Sequence, residues 1–221
     1  MKCEEFIIFR MKNKRAILII CDSLRRDLVA PGTSPFLAAL ARRGTWFNQV
    51  RSVFPSTTRV SSASIATGCL PARHGLLGNC MLLPLDDGLA NYSVGHPDFR
   101  ARLRAATGRT LRMPALAERL AHHGGACIYS NVSPGAAYFN DPDAHGRVYH
   151  RAGSYGPGHA PCPDPLEIES GAAGDAEMTE RFCAMLRGPQ APSLATLWLS
   201  EPDHSGHGHA LGSPRIFSNS S

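Results

Sequence analysis

Ala16 to Cys21 (AILIIC) is an unbroken apolar run rich in branched side chains, and Asp22 follows it directly. A run this short, without alternation, suits a strand buried on both faces, the environment of a parallel sheet. Parallel strands need long crossovers, and the chain supplies helical patterns between its apolar runs. Phe36, Leu37, Leu40 and Ala41 recur at helical spacing within residues 34–43, and Gly44 is a natural stop. Residues 45–54 alternate enough to predict a further strand. The Ser- and Ala-rich segment Thr58–Thr67 predicts a tightly packed helix that opens near residues 55–57. Another helix is expected over residues 114–123, closed by Gly124 and Gly125, with a strand over 126–131. Residues 175–186 regain helical spacing through Met178, Phe182, Met185 and Leu186, and residues 193–199 (SLATLWL) read as a last buried strand. Between about 82 and 112, and again from 133 to 174, Gly, Pro, Asp and Tyr break the periodicity, as insertions over the sheet edge would. The alternation predicts an α/β fold with a largely parallel central sheet flanked by helices.

The 221 residues, 43% of them hydrophobic, suffice for one large domain rather than a disordered chain. The charge of +5, from 23 Lys and Arg against 18 Asp and Glu, is spread along the chain. That distribution favours anionic substrates weakly and implies no nucleic-acid groove. Seven cysteines form no C-x-x-C pair, which points to reduced thiols. Residues 1–15 carry too many charges for a signal-peptide core, and no stretch nears the roughly 20 apolar residues of a membrane helix. The default expectation is a soluble cytoplasmic protein with no membrane association, with Met11 as an alternative start.

Three polar clusters fall at or just after predicted strand ends: Cys21-Asp22-Ser23, Thr57-Thr58-Arg59, and residues 200–207 (SEPDHSGH). Ligands of open α/β sheets bind at the carboxyl ends of strands, so these clusters mark one candidate site. By position, Asp22 reads equally as a turn residue. Asp203 and His207 are one helical turn apart and offer zinc an oxygen and a nitrogen, although D-x-x-x-H alone reads first as a surface turn.

Taken in order, AILIICDSLRRD, FPSTTRVSSASIATGCLPARHGLLGN and EPDHSGHGHALG resemble successive signatures of the type I phosphodiesterase and nucleotide pyrophosphatase branch of the alkaline phosphatase superfamily. The resemblance runs from about residue 16 to 214. It implies an N-terminal extension over 1–15, a partial alkaline phosphatase-like catalytic domain over 16–214 and a polar tail over 215–221. In the family a Thr or Ser nucleophile opens a helix ahead of a Thr-Gly, a P-x-R-H-G stretch and an Asn. Thr67-Gly68, Pro71-Ala72-Arg73-His74-Gly75 and Asn79 match, and counting back nine positions from Thr67 reaches Thr58. Thr57 is the less favoured neighbour. The alternative alignment on Thr-Phe-Pro-Asn meets Val53, which has no nucleophile. Cys69 superficially fits the sulfatase C-x-P-x-R pattern, but it follows the Thr-Gly instead of preceding it and reads as a small packed residue.

The resemblance implies hydrolysis of a small phosphate ester through Thr58, with two divalent metal ions, zinc by family habit. Asp22 and Thr58 would belong to one ion, Asp203 and His207 to the other, and Asn79 would contact phosphate oxygens. Arg59 reads equally as a phosphate contact or a surface cation. His74 is expected to stabilise a turn, and His209 to stay off the metals. Family members continue beyond the EPD-x-x-GH element and supply an Asp-His pair and one further His. Residues 213–221 (SPRIFSNSS) contain no His, Asp or Glu, so the domain is expected to be incomplete at its C-terminus. Three readings follow: a metal-dependent phosphodiesterase or phosphatase, an inactive remnant that binds metal or phosphate, and a non-catalytic interaction module.

Overall fold

The computed structural model describes residues 14–85 and 88–210. Its elements run β1 (Ala16–Cys21), α1 (Pro35–Arg43), α2 (Thr58–Thr67), α3 (Pro71–His74), β2 (Cys80–Leu85), β3 (Gly88–Ser93), α4 (Phe99–Thr107) and α5 (Leu116–Leu120). The second half adds β4 (Ala126–Ser130), α6 (Pro134–Asn140), β5 (Arg147–His150), α7 (Ala172–Arg187), β6 (Leu194–Leu199) and α8 (Asp203–Gly208). A four-stranded sheet in the order β1-β6-β4-β5 is parallel throughout, as the sequence predicts.

Strand side chains alternate between the two faces of this sheet. Cys127, Tyr129, Ala195 and Leu197 meet Met178 and Phe182 of α7 on one face. Ile128, Val148 and Trp198 meet Val132 and Ala136 at the start of α6 on the other. Helix α2 packs behind α6 through small residues, and Ser62 Oγ donates to Ala136 O at 2.6 Å. A third core joins Val60 and Ala63 of α2 to Phe139, Leu83, Phe99 and Leu103, which draws the β2-β3 hairpin and α4 onto this layer.

Four expectations are corrected. Strand β1 is not buried on both faces: Ile17 and Ile19 are 55% and 58% exposed. Their register places them beside Ala195 and Leu197, but β1 is an edge strand, and the buried side chains of α7 pack over β4 and β6. Residues 45–54 form no strand and pair with no strand among the described residues, and Phe47 and Val50 stand exposed. The two irregular stretches are more ordered than expected. The first contains the antiparallel β2-β3 hairpin and α4, and the second contributes β5 to the central sheet itself. The helix expected over 114–123 is shortened to Leu116–Leu120. No helix among the described residues is long and apolar enough to cross a membrane. Cys3, Met11 and the tail at 215–221 lie outside the described residues.

Met178 is fully buried under the sheet while Ile19 is more than half exposed. Met178→Ala is therefore expected to cost about 2–5 kcal/mol of unfolding free energy. Ile19→Ser should stay within about 0.5 kcal/mol, as surface substitutions do. Urea titration of the two variants checks this, and equal losses would contradict the placement of α7.

His74 is sealed between α2 and α3: its Nε2 is 2.8 Å from Ser64 Oγ and its Nδ1 accepts from Leu76 N at 3.2 Å. It thus has the turn-stabilising place expected of it. Desolvation holds its pKa below the ordinary 6.5. A histidine lowered in the folded state binds its proton more readily when unfolded. Its contribution is present above the unfolded pKa and is lost as pH falls through that value. His74→Gln should therefore flatten the decline in stability between about pH 7 and about pH 5.5 relative to the parent chain. Equal slopes in the two proteins would show that the ring is protonated without penalty.

Candidate active site

A hollow of about 570 Å³ opens at the carboxyl ends of the parallel strands. Asp22 and Ser23 reach it from the end of β1, Asn131 to Ser133 from β4, Arg151 from β5, and Ser200, Asp203, His204 and His207 from β6 and α8. Residues 56–59 enter from the start of α2, and Asn79 from the turn before β2. The three clusters singled out in the sequence therefore converge, although Ser23 and Asp203 are 180 residues apart.

Asp22 and Asp203 are held together by backbone. Asp22 N donates to Leu199 O, and Asp203 N donates back to Asp22 O at 3.1 Å. Ser23, in the left-handed region at φ 58°, turns the chain so that its hydroxyl donates to Asp203 Oδ1 at 2.5 Å. Asp203 Oδ2 lies 3.2 Å from His207 Nε2, across one turn of α8. Burial, and then repulsion from Asp203, push the Asp22 carboxyl up to about 6, partly offset by a backbone hydrogen bond from Ser23. Two carboxylates fixed near each other against their repulsion form an electrostatic seat for a cation.

Thr57 is the N-cap of α2 and Thr58 its first helical residue. Both line the hollow, but the Thr57 hydroxyl is buried without a hydrogen-bond partner. Arg59 Nη1 donates to Asn79 Oδ1 at 3.2 Å. Gly68 closes α2 at φ 67°, where a side chain would be strained. Cys69 does not line the hollow, and its thiol donates to Thr67 O. His209 also stays outside it, with Nδ1 on Ser205 O at 3.0 Å. Among the described residues no three His, Cys, Asp or Glu side chains gather around one point as a complete metal site would require. Asp22, Asp203 and His207, with the Thr58 hydroxyl, are the donors at hand, and oxygen and imidazole suit a divalent ion such as zinc.

Asp175 passed unnoticed in the sequence, where it marks only a helix start. It lies in the first turn of α7, 7% exposed, and accepts from Asn131 Nδ2, Ser200 N, Ser200 Oγ and Glu201 N at 3.0–3.1 Å. It fixes the floor of the hollow. His204, part of the 200–207 cluster but given no role there, also lines the hollow, as does Arg151, which was missed. No local pattern marks Arg151, whose strand was itself unread.

A profile described as type I phosphodiesterase / nucleotide pyrophosphatase matches residues 16–220. The chain belongs to that family. Curated relatives include ectonucleotide pyrophosphatase/phosphodiesterase family member 1 of Rattus norvegicus, 27% identical over 207 residues, covering 90% of this chain and 20% of the relative. The protein of the same name from Mus musculus is 26% identical over the same length. Among solved structures, murine ectonucleotide pyrophosphatase/phosphodiesterase 5, an inactive variant in complex with AMP, aligns with TM-score 0.63 and 18% identity. That alignment covers 93% of this chain and 48% of the other. Phosphonoacetate hydrolase of Sinorhizobium meliloti 1021, in complex with phosphonoformate, aligns with TM-score 0.61 and 21% identity over 93% of this chain and 50% of that one. This family member thus spans about a fifth of its curated relatives and about half of the structures it matches. The shared fold agrees with placement in the alkaline phosphatase superfamily.

The buried carboxylate makes a checkable demand. Asp175→Ala leaves Ser200 N and Glu201 N without their acceptor in a dry setting, at a cost of about 3 kcal/mol or more. Urea unfolding of Asp175→Ala and Asp175→Asn measures it. A loss below about 1 kcal/mol in both would mean that water reaches these donors.

Proposed function

We propose that this chain carries the nucleophile half of a metal-dependent phosphate-ester hydrolase, with Thr58 as the attacking group. The observation that supports this best is the meeting of Asp22, Thr58, Asn79, Asp203 and His207 around one hollow. A neighbour of the same fold is described as inactive after a threonine-to-alanine change and was captured with AMP, and another holds phosphonoformate. Both bound molecules favour a small phosphorus oxyanion as substrate.

The residues divide the work by chemistry. Asp22 and Thr58 would hold one divalent ion, and Asp203 and His207 the other, zinc being suited to both donor sets. Bound there, the ions would lower the pKa of a hydroxyl that is a poor nucleophile at neutral pH and would neutralise charge on the leaving oxygen. Thr58 Oγ then forms a bond to phosphorus as the bond to the ester oxygen breaks, and water later frees the phosphoryl group from threonine. The first-turn amides of α2 and the side chain of Asn79 supply hydrogen bonds to the non-bridging oxygens. The six described cysteines are free thiols, which supports a reducing compartment such as the cytoplasm.

The second reading is an inactive domain that still binds metal or phosphate. It is favoured by the absence, among the described residues, of three metal-ligating side chains around one point.

Thr58→Ala is expected to abolish zinc-dependent turnover of p-nitrophenyl phosphate and bis-p-nitrophenyl phosphate while the melting temperature holds. Asp22→Ala and Asp203→Ala should each remove bound zinc, read by elemental mass spectrometry. Zinc or phosphate binding without turnover supports the second reading. Turnover that survives in Thr58→Ala excludes this nucleophile. A chain indifferent to all three substitutions is an interaction module.

A further inference from the structure

Arg59 follows the proposed nucleophile, and its surroundings leave the guanidinium little freedom. A Cβ built on Gly135 would stand 2.5 Å from Arg59 Nε, and one built on Gly95 would stand 2.8 Å from Arg59 Nη2. The side chain therefore threads a slot walled by bare backbone, from the first turn of α6 on one side and the turn after β3 on the other. At the far end Nη1 donates to Asn79 Oδ1, and both residues line the hollow that contains Thr58.

This cation lacks a counter-charge. Arg59 Nε is buried with no hydrogen-bond partner. Among the described residues the acids within salt-bridge reach of an arginine serve Arg25, Arg104, Arg109 and Arg181, not Arg59. A guanidinium with one nitrogen buried and unpartnered, and the rest facing a polar hollow without an acid, is open to pairing with an anion. Because Asn79 Oδ1 is taken up by Arg59, its Nδ2–H donors are left for an oxyanion in the same place.

Resting on the reading of Thr58 as nucleophile, we propose that Arg59 sets the charge of the accepted group, favouring a terminal phosphate or phosphonate dianion over a singly charged diester. The two classes differ by one negative charge and one unsubstituted oxygen. A planar guanidinium held at a fixed angle can bond two free oxygens side by side. A diester masks one of those oxygens with carbon and brings half the charge. The first turn of α2 and Asn79 donate neutral hydrogen bonds and serve both classes, so the discrimination falls to Arg59.

The test measures binding and turnover on the full chain with zinc present, for the parent, Arg59→Ala, Arg59→Lys and Gly95→Ala. Calorimetry follows inorganic phosphate and dimethyl phosphate. Turnover compares p-nitrophenyl phosphate with methyl p-nitrophenyl phosphate, which share a leaving group. Arg59→Ala is expected to weaken phosphate binding on the order of tenfold to a hundredfold, the size of one hydrogen bond between charged groups. Dimethyl phosphate should change by less than about threefold. Turnover of the monoester should fall more than that of the diester. Gly95→Ala, which crowds Nη2 and keeps the charge, should shift selectivity in the same direction, and Arg59→Lys should restore affinity without the preference. Equal losses for both anions, or a parent chain that binds neither or favours dimethyl phosphate, overturn the proposal. If the binding preference follows Arg59 while Thr58→Ala leaves turnover untouched or no turnover exists, the anion selectivity stands and the nucleophile reading fails.

Discussion

The carboxylate of Asp175 joins three elements that the chain order keeps apart. It sits in the first turn of α7 and accepts hydrogen bonds from Asn131, beyond β4, and from Ser200 and Glu201, beyond β6. An ionised carboxylate withdrawn from water is costly, and these donors offset that cost by meeting both oxygens. Position Ser200 and Glu201, and α8 begins where it must, since His204 N donates back to Ser200 O. From there Asp203 N reaches Asp22 O and fixes the end of β1. The side chains that line the hollow therefore take their places from a residue behind them.

That framework works against local electrostatics. Asp22 and Asp203 are drawn together by backbone bonding, and the repulsion between them appears in the raised Asp22 carboxyl. Beside the start of α2, Arg59 has its Nε buried without a partner and, among the described residues, no acid within salt-bridge reach. Negative charge gathers on the side of β1 and α8, and positive charge beside the start of α2. A cation answers the first and an oxyanion the second, which is the pairing that the proposed reaction would need.

Packing around the sheet is asymmetric. Helix α2 comes close enough to α6 for a serine hydroxyl to bond a backbone carbonyl, which only small residues such as Ser62, Ala63, Ala136 and Ala137 permit. Arg59 exploits the same lack of bulk at Gly95 and Gly135. At the outer strand the packing stops. Ile17 and Ile19 of β1 have the side chains of a buried strand but stand exposed beside Ala195 and Leu197, in a chain that spans about half of the structures it matches.

By itself the sequence determined the parallel α/β sheet, helices α1, α2 and α7, and the segments that bear Asp22, Thr58, Asn79, Asp203 and His207. Apolar run length, glycine stops and motif spacing are local signals, and they survive in one dimension. Strand β5 and the β2-β3 hairpin were illegible because Arg147–His150 and Cys80–Leu85 mix polar, apolar and proline residues. Residues 45–54 failed in the opposite sense, for alternation does not supply a partner strand. Only tertiary structure decided that Asp175 is a hub rather than a helix start, that Arg59 lies in a slot, and that β1 has one open face. Each depends on which distant backbone comes near, and hydrogen-bond partners, close glycine approach and burial are properties of that proximity, not of any residue's neighbours along the chain.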